Sequence, residues 1–387
     1  MNAALKAICE QIKGAHAGRS PLRIRGAGSK DFYGHPRFSD PTLEMSAYAG
    51  IVNYAPSELV VTVRAGTPVA ELEAALAEQH QCLAFEPPHF QGHGGTCGGM
   101  VAAGLSGPSR ASVGSVRDFV LGVQILNSRA EMLTFGGQVM KNVAGYDISR
   151  LMAGSMGVLG VVAEASLKVL PVAPASLTLV FEVDQASALQ QLNRWGAMPL
   201  PLNASCWVRD DTAPHQPELL FVRLRGAVAA VQSASRQMLQ ALSGRVMDNA
   251  QAEPDWQRCR NQQLPFFEVT APSAGEDEQV LWRLSLPQTA PALNLPWPQL
   301  IEWHGGLRWL WAPWSAHSTI HAACRQHGGS AMVFRDPADK SRLERFAPLD
   351  PVLLQVHQRL QAQFDPARIF NPGRMYPSLN EGERHAN

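Results

Sequence analysis

The stretch from Lys141 to Lys168 contains the first residues whose types and spacing suit ligand binding. A polar loop leads into Gly154–Gly160, with the sequence Gly-Ser-Met-Gly-Val-Leu-Gly, and then into an alternating apolar run, Val158–Leu170, that predicts a β-strand. Glycine permits positive φ and lets a ligand lie against the main chain, where free N–H groups can hold an anion. A tight turn between a helix and a strand would explain the same glycines, so the neighbouring sequence has to decide.

An earlier loop at 26–30 has the same character. A short predicted strand at 21–25 runs into Gly-Ala-Gly-Ser-Lys, an order of elements in which phosphates are often held. The residues that follow, from Asp31 to Pro36, cannot open a helix, so the loop lacks the dinucleotide fingerprint of a Rossmann fold.

The densest glycine segment lies at 92–107, where seven of sixteen residues are glycine. We interpret it as a backbone cradle for a pyrophosphate, with hydroxyl groups supplied by Thr96, Ser106 and Ser109. A flexible linker is the alternative, but the small residues at 101–104 resemble a short packed helix. Three glycine loops that border strands favour a large, phosphate-bearing cofactor.

Length and composition predict a globular enzyme of two or three domains. The chain has 387 residues, 45% of them hydrophobic, against about 100–200 residues for a typical domain. Its 33 basic residues balance 33 acidic ones, which excludes the basic footprint of a nucleic-acid-binding protein. The partners should therefore be small molecules or other proteins.

The cysteines and the N-terminus narrow the class of protein further. The six cysteines show neither a C-x-x-C motif nor metal-ligand spacing, so we predict no metal site and no iron–sulfur cluster on this chain. Residues 1–13 form an amphipathic helical pattern without the apolar core of a signal peptide. The longest apolar run, 152–163, is shorter than the ~20 residues that cross a bilayer. We expect a cytoplasmic location, with any association with the inner membrane peripheral and through partners.

Six motifs occur in the order typical of one flavoprotein family. They are Arg25–Ser29 (RGAGS), Thr96–Gly104 (TCGGMVAAG), Arg117–Gly122 (RDFVLG), Lys141–Asp147 (KNVAGYD), Gly154–Val162 (GSMGVLGVV) and Asn371–Arg374 (NPGR). Over these residues the chain resembles the family named after vanillyl-alcohol oxidase and para-cresol methylhydroxylase (PCMH). Within that family it is most similar to the FAD-binding E subunits of bacterial glycolate oxidases, through Trp303–Leu310 (WHGGLRWL) and Phe364–Tyr376 (FDPARIFNPGRMY).

The resemblance implies an α+β fold. A PCMH-type FAD-binding domain of two subdomains would occupy residues 1–172, an α+β cap domain 173–345, and a C-terminal segment that returns to the FAD domain 346–387. Within the cap, the β-α-β-β-α order that begins at residue 177 predicts a ferredoxin-like arrangement.

FAD is the cofactor that the resemblance implies. The residues expected to bind it are Arg25, Gly26, Ala27, Gly28, Ser29, Lys30, Thr96, Cys97, Gly98, Gly99, Ala102, Ser106, Ser109, Gly114, Asp118, Gly157, Gly160, Val161, Val162, Asn371 and Gly373. Some relatives attach the flavin covalently through a histidine or a cysteine. His93 and Cys97 lie near the cofactor loops but match no tethering motif.

His304 and Arg308 in the cap are the catalytic candidates. An arginine suits bidentate capture of a substrate carboxylate, and a histidine could take the hydroxyl proton of a hydroxy acid while the α-hydrogen leaves as hydride to the flavin. A structural role explains both residues equally well. His317 and His321 stand four residues apart without a third ligand, which favours a solvated helix face over a metal site.

The resemblance implies an FAD-binding subunit of a complex that oxidises glycolate, or D-lactate, to the 2-oxo acid. Its partners would be a larger FAD-binding catalytic subunit and an iron–sulfur subunit that passes electrons to the quinone pool. Flavin dehydrogenases of D-2-hydroxy acids carry a histidine-rich metal motif and an E-H-G-x-G sequence, and both are missing here. Two alternatives therefore stay open: a self-sufficient FAD-dependent oxidoreductase of another small hydroxy acid or alcohol, and a non-catalytic subunit that retains FAD for assembly.

Overall fold

A computed structural model describes residues 2–35, 38–90, 94–137, 147–210, 212–268, 279–336 and 344–377, and the chain divides into two compact units. Unit 1 comprises Met1–Leu105, Ser115–Pro171 and Ser341–Asn387, and unit 2 comprises Ser106–Gly114 and Val172–Lys340. The segment 106–114, which the sequence places in the first domain, thus belongs to unit 2. Lys141, Asn142 and Tyr146 of the predicted polar loop lie outside the described residues, as does His93.

Helices and strands are interspersed along the described part of the chain. The helices are α1 (Ala3–Gly18), α2 (Val69–Ala77), α3 (Cys97–Ala103), α4 (Arg110–Val113), α5 (Val116–Phe119), α6 (Ile148–Met152), α7 (Gln185–Gly196), α8 (Val228–Ala241), α9 (Asn249–Asn261), α10 (His317–Gln326) and α11 (Pro351–Phe364). The strands are β1 (Arg23–Arg25), β2 (Thr42–Glu44), β3 (Ile51–Ala55), β4 (Val60–Arg64), β5 (Gln81–Cys82), β6 (Val120–Leu126), β7 (Met132–Gly136), β8 (Val161–Lys168), β9 (Leu170–Pro171), β10 (Ala175–Glu182), β11 (Leu202–Arg209), β12 (Glu218–Gly226), β13 (Arg245–Met247), β14 (Gln279–Ser285), β15 (Gln299–Glu302), β16 (Leu307–Pro313) and β17 (Ser330–Arg335).

Unit 1 is built on a five-stranded antiparallel sheet in the order β3-β4-β8-β6-β7. Strands β4 and β8 lie inside the sheet and are buried at almost every position, which explains their continuous Val- and Ala-rich sequences. A separate parallel pair, β1 and β2, packs against α1 through Ile8, Ile12 and Leu43. The C-terminal tail joins the same core, because Phe370 bridges to Leu22 and is fully buried.

Helix α2 has Pro68 as its N-cap. The hydroxyl of the preceding residue, Thr67, does not cap the helix but accepts from the backbone N–H of Gly50 at 2.9 Å and donates to its carbonyl at 3.2 Å. The Thr67 hydroxyl is therefore used to join two loops of unit 1, and the proline begins the helix without a side-chain cap.

Unit 2 contains an eight-stranded antiparallel sheet in the order β13-β10-β12-β11-β15-β16-β14-β17. The first four strands, with α7 and α8 as crossovers, have the ferredoxin-like order, so the predicted fold class is confirmed. The last four strands have the same order, reversed across the sheet, although the connection from β14 to β15 contains no α-helix. The two halves meet where β11 pairs with β15, with Cys206 opposite Glu302.

The solvated helix face expected for His317 and His321 is wrong for His321. That side chain is 5% exposed, and its ring lies 5.8 Å from the ring of Trp282 and 4.2 Å from that of His317. Burial is the main cause that lowers the pKa of His321 to about 4. Helix α10 therefore turns this histidine into the core of unit 2, where it is neutral near pH 7.

Among the described residues, no helix has both the length and the apolar sequence that crossing a bilayer requires.

Candidate functional site

A cleft in unit 1 brings the three predicted glycine loops together. It contains about 790 Å³ of space that protein atoms do not fill, part of it open to solvent. The predicted cofactor residues that line it are Arg25, Gly26, Ala27, Gly28, Ser29, Lys30, Thr96, Gly98, Gly99, Ala102, Gly157, Gly160, Val162 and Asn371. Loops that are far apart in sequence thus share one surface.

The other predicted cofactor residues do not line this cleft. Ser106, Ser109 and Gly114 belong to unit 2. Cys97 and Val161 are fully buried in unit 1, and burial raises the pKa of the Cys97 thiol to about 12, so this thiol is an inert packing group.

Asp118 and Gly373 are also absent from the lining of the cleft. The Asp118 carboxylate accepts from the backbone N–H and hydroxyl of Ser115 at the start of α5. Although partial burial opposes ionisation, these hydrogen bonds lower the pKa of Asp118. Gly373 has φ of 75° and forms part of the turn that leads to Arg374.

Several lining residues were not predicted from the sequence. They are Ile24, Asp31, Tyr33, Met45, Ala65, Ala103, Met156 and Arg374. Most of them adjoin a predicted residue, so widening each motif by one or two positions would have found them. Arg374 lies within the Asn371–Arg374 motif, but the motif alone predicted no contact for it.

The loop at 26–30 presents main-chain donors to the cleft. The backbone N–H groups of residues 26–30 donate to no acceptor within the described part of the chain. Gly28 has φ of 76°, a left-handed conformation that turns the loop back on itself. A run of N–H groups without acceptors is the arrangement in which a backbone nest binds an anion.

Lys30 is a partly buried cation without an acidic partner in the described structure. Its ammonium contacts the Ser29 hydroxyl at 3.4 Å and lies 5.7 Å from the centre of the Phe90 ring. Burial lowers the pKa of Lys30 to about 8. Arg25, by contrast, is paired with Asp31 and Glu44 at 3.1 and 3.3 Å. The lysine is therefore the charge in this loop that an anionic ligand would stabilise most.

Glycines allow the second loop to approach the first. A Cβ on Gly26 would collide with the Thr96 hydroxyl, and a Cβ on Gly98 would lie 2.6 Å from the Cβ of Ala65. A Cβ on Gly99 would meet only the Thr96 hydroxyl, at 3.3 Å, so this position faces open space in the cleft. Thr96 is the N-cap of α3, and its hydroxyl accepts from Gly99.

The third loop is tied to α3 and to the tail. The N–H groups of Gly154 and Met156 donate to the carbonyls of Val101 and Ala102 at 3.0 and 2.8 Å. The Asn371 amide donates to the Met156 carbonyl at 2.7 Å, and its oxygen accepts from the N–H of Ile24 at 2.8 Å. One side chain from the tail thus joins the first and third loops.

Arg374 completes the link between the tail and the first loop. Its guanidinium donates to the carbonyls of Lys30 and Tyr33, both at 2.9 Å. Burial lowers the pKa of Arg374 to about 10, which leaves the group charged at neutral pH. Because the donors of Arg374 point at main-chain carbonyls, this residue positions the loop that presents Lys30.

His304 lies in unit 2, in a turn between β15 and β16. Its Nδ1 and Nε2 lie 3.0 and 3.1 Å from the hydroxyls of Ser205 and Ser112. Burial lowers the pKa of His304 to about 4, so the imidazole is neutral near pH 7. Both ring nitrogens are engaged within the unit, and a role in proton transfer stays a prediction.

Arg308 is fully buried in unit 2 and uses its donors on the main chain. Its Nη1 and Nη2 donate to the carbonyls of Pro291 and Ala290, both at 2.7 Å, and its Nε donates to Gly305 at 3.3 Å. These contacts favour a structural role. Capture of a substrate carboxylate by Arg308 stays a prediction.

The cleft in unit 1 fits FAD. The N–H groups of residues 26–30 and the Lys30 ammonium suit a diphosphate, and Gly26, Gly98 and Gly99 keep the surface free of side chains that would exclude an extended ligand. The wall also contains the apolar side chains of Ile24, Met45 and Met156. Together the fold and the cleft define an FAD-binding protein.

Comparison with known proteins agrees with this class. A family described as "FAD binding domain" matches residues 4–136. Glycolate oxidase subunit GlcE of Escherichia coli (strain K12) is 45% identical over 374 residues, covering 97% of this chain and 98% of that protein. Glycolate oxidase subunit GlcD of Bacillus subtilis (strain 168) is 29% identical over 174 residues, 45% of this chain and 37% of that protein.

Solved structures of alkyldihydroxyacetonephosphate synthase share the fold. One has a TM-score of 0.65 at 15% identity and covers 95% of this chain and 74% of its own. The chain belongs to the family of glycolate oxidase subunit GlcE, and it is an FAD-dependent oxidoreductase subunit.

Proposed function

We propose that this chain is the FAD-holding subunit of a complex that oxidises glycolate, or the related D-lactate, to the 2-oxo acid. The observation that carries the proposal is the cleft of unit 1, where main-chain donors with no described acceptor and a partly buried lysine meet between glycine loops. Likeness to a glycolate oxidase subunit over nearly the whole chain supports the substrate class. FAD, when bound, would supply an acceptor for one hydride, which carries two electrons.

Different residues of the cleft would bind different parts of FAD. The N–H groups of residues 26–30 and the Lys30 ammonium would bind the diphosphate of FAD. The surface at Gly99 and Gly157 would lie against the rest of the FAD. Asn371 and Arg374 would act indirectly, since their hydrogen bonds keep the first and third loops in place.

The complex would contain a larger FAD-binding catalytic subunit and an iron–sulfur subunit. Electrons would pass from the flavin through the iron–sulfur subunit to the quinone pool, with the complex bound peripherally to the inner membrane. The relatives named as subunits of glycolate oxidase support an assembly of this type.

The proposal is tested by reconstituting the complex with and without this chain. We expect glycolate-dependent reduction of a dye acceptor by the complete complex, and at least a tenfold lower rate when the chain is omitted or replaced by the Gly99→Val variant. Turnover by the isolated chain would instead support a self-sufficient oxidoreductase. Full activity of a complex that contains the variant without flavin would show that the FAD of this subunit is dispensable.

A further inference from the structure

The turn that contains His304 has an unusual backbone. Trp303, His304 and Gly305 have φ values of 53°, 56° and 99° in succession. The left-handed region is unfavourable for residues other than glycine, so two such residues in a row need stabilising contacts from their surroundings. The contacts of the Trp303 and His304 side chains therefore indicate which part of the protein this turn stabilises.

Both side chains hold the segment 106–114. The Trp303 indole N–H donates to the Gly107 carbonyl at 2.9 Å, the Arg110 guanidinium lies 4.4 Å from the centre of the Trp303 ring, and Ser112 is hydrogen-bonded to His304 Nε2. This segment belongs to unit 2, although the residues on either side of it in sequence belong to unit 1. Three contacts with two neighbouring residues thus help to hold it in unit 2.

The tautomer of His304 follows from the hydrogen bonds of Ser205. The buried Ser205 hydroxyl accepts from the His304 backbone N–H at 2.9 Å, and its own proton has one described acceptor, His304 Nδ1. Nδ1 therefore accepts, and Nε2 carries the proton that is donated to Ser112. In this assignment the exposed Ser112 hydroxyl is free to turn its own proton outward.

We propose that Trp303 and His304 are positioning residues that fasten 106–114 to unit 2, and that Ser205 sets the His304 tautomer for this purpose. The segment directly follows α3, whose Gly98, Gly99 and Ala102 line the cofactor cleft. The chemistry needed at position 304 is then a neutral imidazole that donates through Nε2, and proton abstraction from a substrate is not required.

Hydrogen exchange of the full-length chain tests the fastening. In Trp303→Phe the ring is kept and the indole donor is lost, so amide exchange in peptides from 106–114 should accelerate about three- to tenfold. Trp311→Phe is the matched control, because the Trp311 indole also donates to a carbonyl of unit 2, that of Phe266 at 2.9 Å. Equal exchange of 106–114 in both variants would overturn the proposal.

The tautomer has its own test. Nitrogen-15 spectra of the histidine-labelled chain, with the His304 signals assigned from a His304→Gln variant, should show the proton on Nε2. Ser112→Ala should leave the proton there, whereas Ser205→Ala should shift the population toward Nδ1. A wild-type proton on Nδ1, or a Ser205→Ala spectrum identical to wild type, would refute the role of Ser205.

Discussion

The cleft of unit 1 and the Trp303–Arg308 turn of unit 2 both combine glycines with basic side chains. In the cleft, the N–H groups of residues 26–30 have no acceptor among the described residues, and the Lys30 ammonium has no acidic partner among them. In the turn, both nitrogens of His304 and all three kinds of Arg308 donor atom are satisfied within unit 2.

This difference separates a surface prepared for a ligand from one that builds the protein. Polar groups buried without partners raise the free energy of the empty site, and a ligand that pairs with them recovers that free energy on binding. Groups that already have partners would have to exchange them for the ligand and gain little. On this criterion the glycine loops are a binding site, and Arg308 is a structural residue.

The largest expected effect is on Gly99, which faces the cleft. A valine there would occupy the space against Thr96 where the ligand lies, so Gly99→Val should weaken FAD binding at least a hundredfold, about 2.7 kcal/mol. The thermal unfolding midpoint of the FAD-free chain should change little. Gly14→Val is the control, because a Cβ at Gly14 has no atom within 4 Å. Normal FAD affinity in Gly99→Val would place the cofactor elsewhere.

The next prediction concerns Asn371, which joins the first and third loops and should act mainly on stability. Asn371→Leu leaves the Met156 carbonyl and the Ile24 N–H without partners, and should lower the free energy of unfolding by about 2–4 kcal/mol. FAD affinity should fall with it, since the loops lose their common link. Denaturant titrations monitored by circular dichroism, with and without FAD, measure both. A stable variant with weakened FAD binding would show instead that Asn371 contacts the cofactor directly.

If Arg308 is a structural residue, its substitution should lower stability without changing FAD affinity. Arg308→Met would leave three carbonyl groups without donors and lower the free energy of unfolding by about 2–3 kcal/mol, while the FAD dissociation constant stays unchanged. The test is a urea titration together with an FAD titration below the unfolding transition. If the variant keeps its stability but the complex loses glycolate turnover, Arg308 binds the substrate carboxylate after all.

The smallest predicted effect concerns Lys30 and pH. Its pKa of about 8 in the FAD-free chain should rise when a diphosphate binds, so the contribution of its charge is complete below pH 8 and is lost as the pH rises above that value. FAD binding should weaken about tenfold between pH 7 and pH 9, at most tenfold per pH unit above 8. Lys30→Arg stays charged and should remove this dependence. An unchanged profile in Lys30→Arg would assign the titration to another group.

Local composition predicted the parts of the fold that depend on neighbours in sequence. The ferredoxin-like order that begins at β10 follows from short patterns, and the structure confirms it. The glycine loops also follow from short patterns, and the structure brings them to one cleft. Helix α9 was not predicted, because Pro254 lies inside it and interrupts the helical pattern. The second ferredoxin-like half was missed because no helix separates β14 from β15.

Features that depend on long-range contacts could not be predicted from local patterns. Arg374 meets the carbonyls of Lys30 and Tyr33 only because the tail returns to unit 1. Ser106 and Ser109 continue the glycine segment in sequence, yet the chain passes into unit 2 at this point. Two of the three carbonyls that surround Arg308 likewise come from the loop before β15, and the third comes from Gly305 in the turn after it, whereas the residue type alone suggested a carboxylate ligand.

The central claim is that the cleft of unit 1 holds FAD, and calorimetric titration of the flavin-free chain with FAD tests it most directly. The account predicts saturable binding of about one FAD per chain in the wild type and loss of that binding in Gly99→Val. A folded wild-type chain that binds no FAD, or a Gly99→Val chain that binds it with unchanged affinity, would contradict the account.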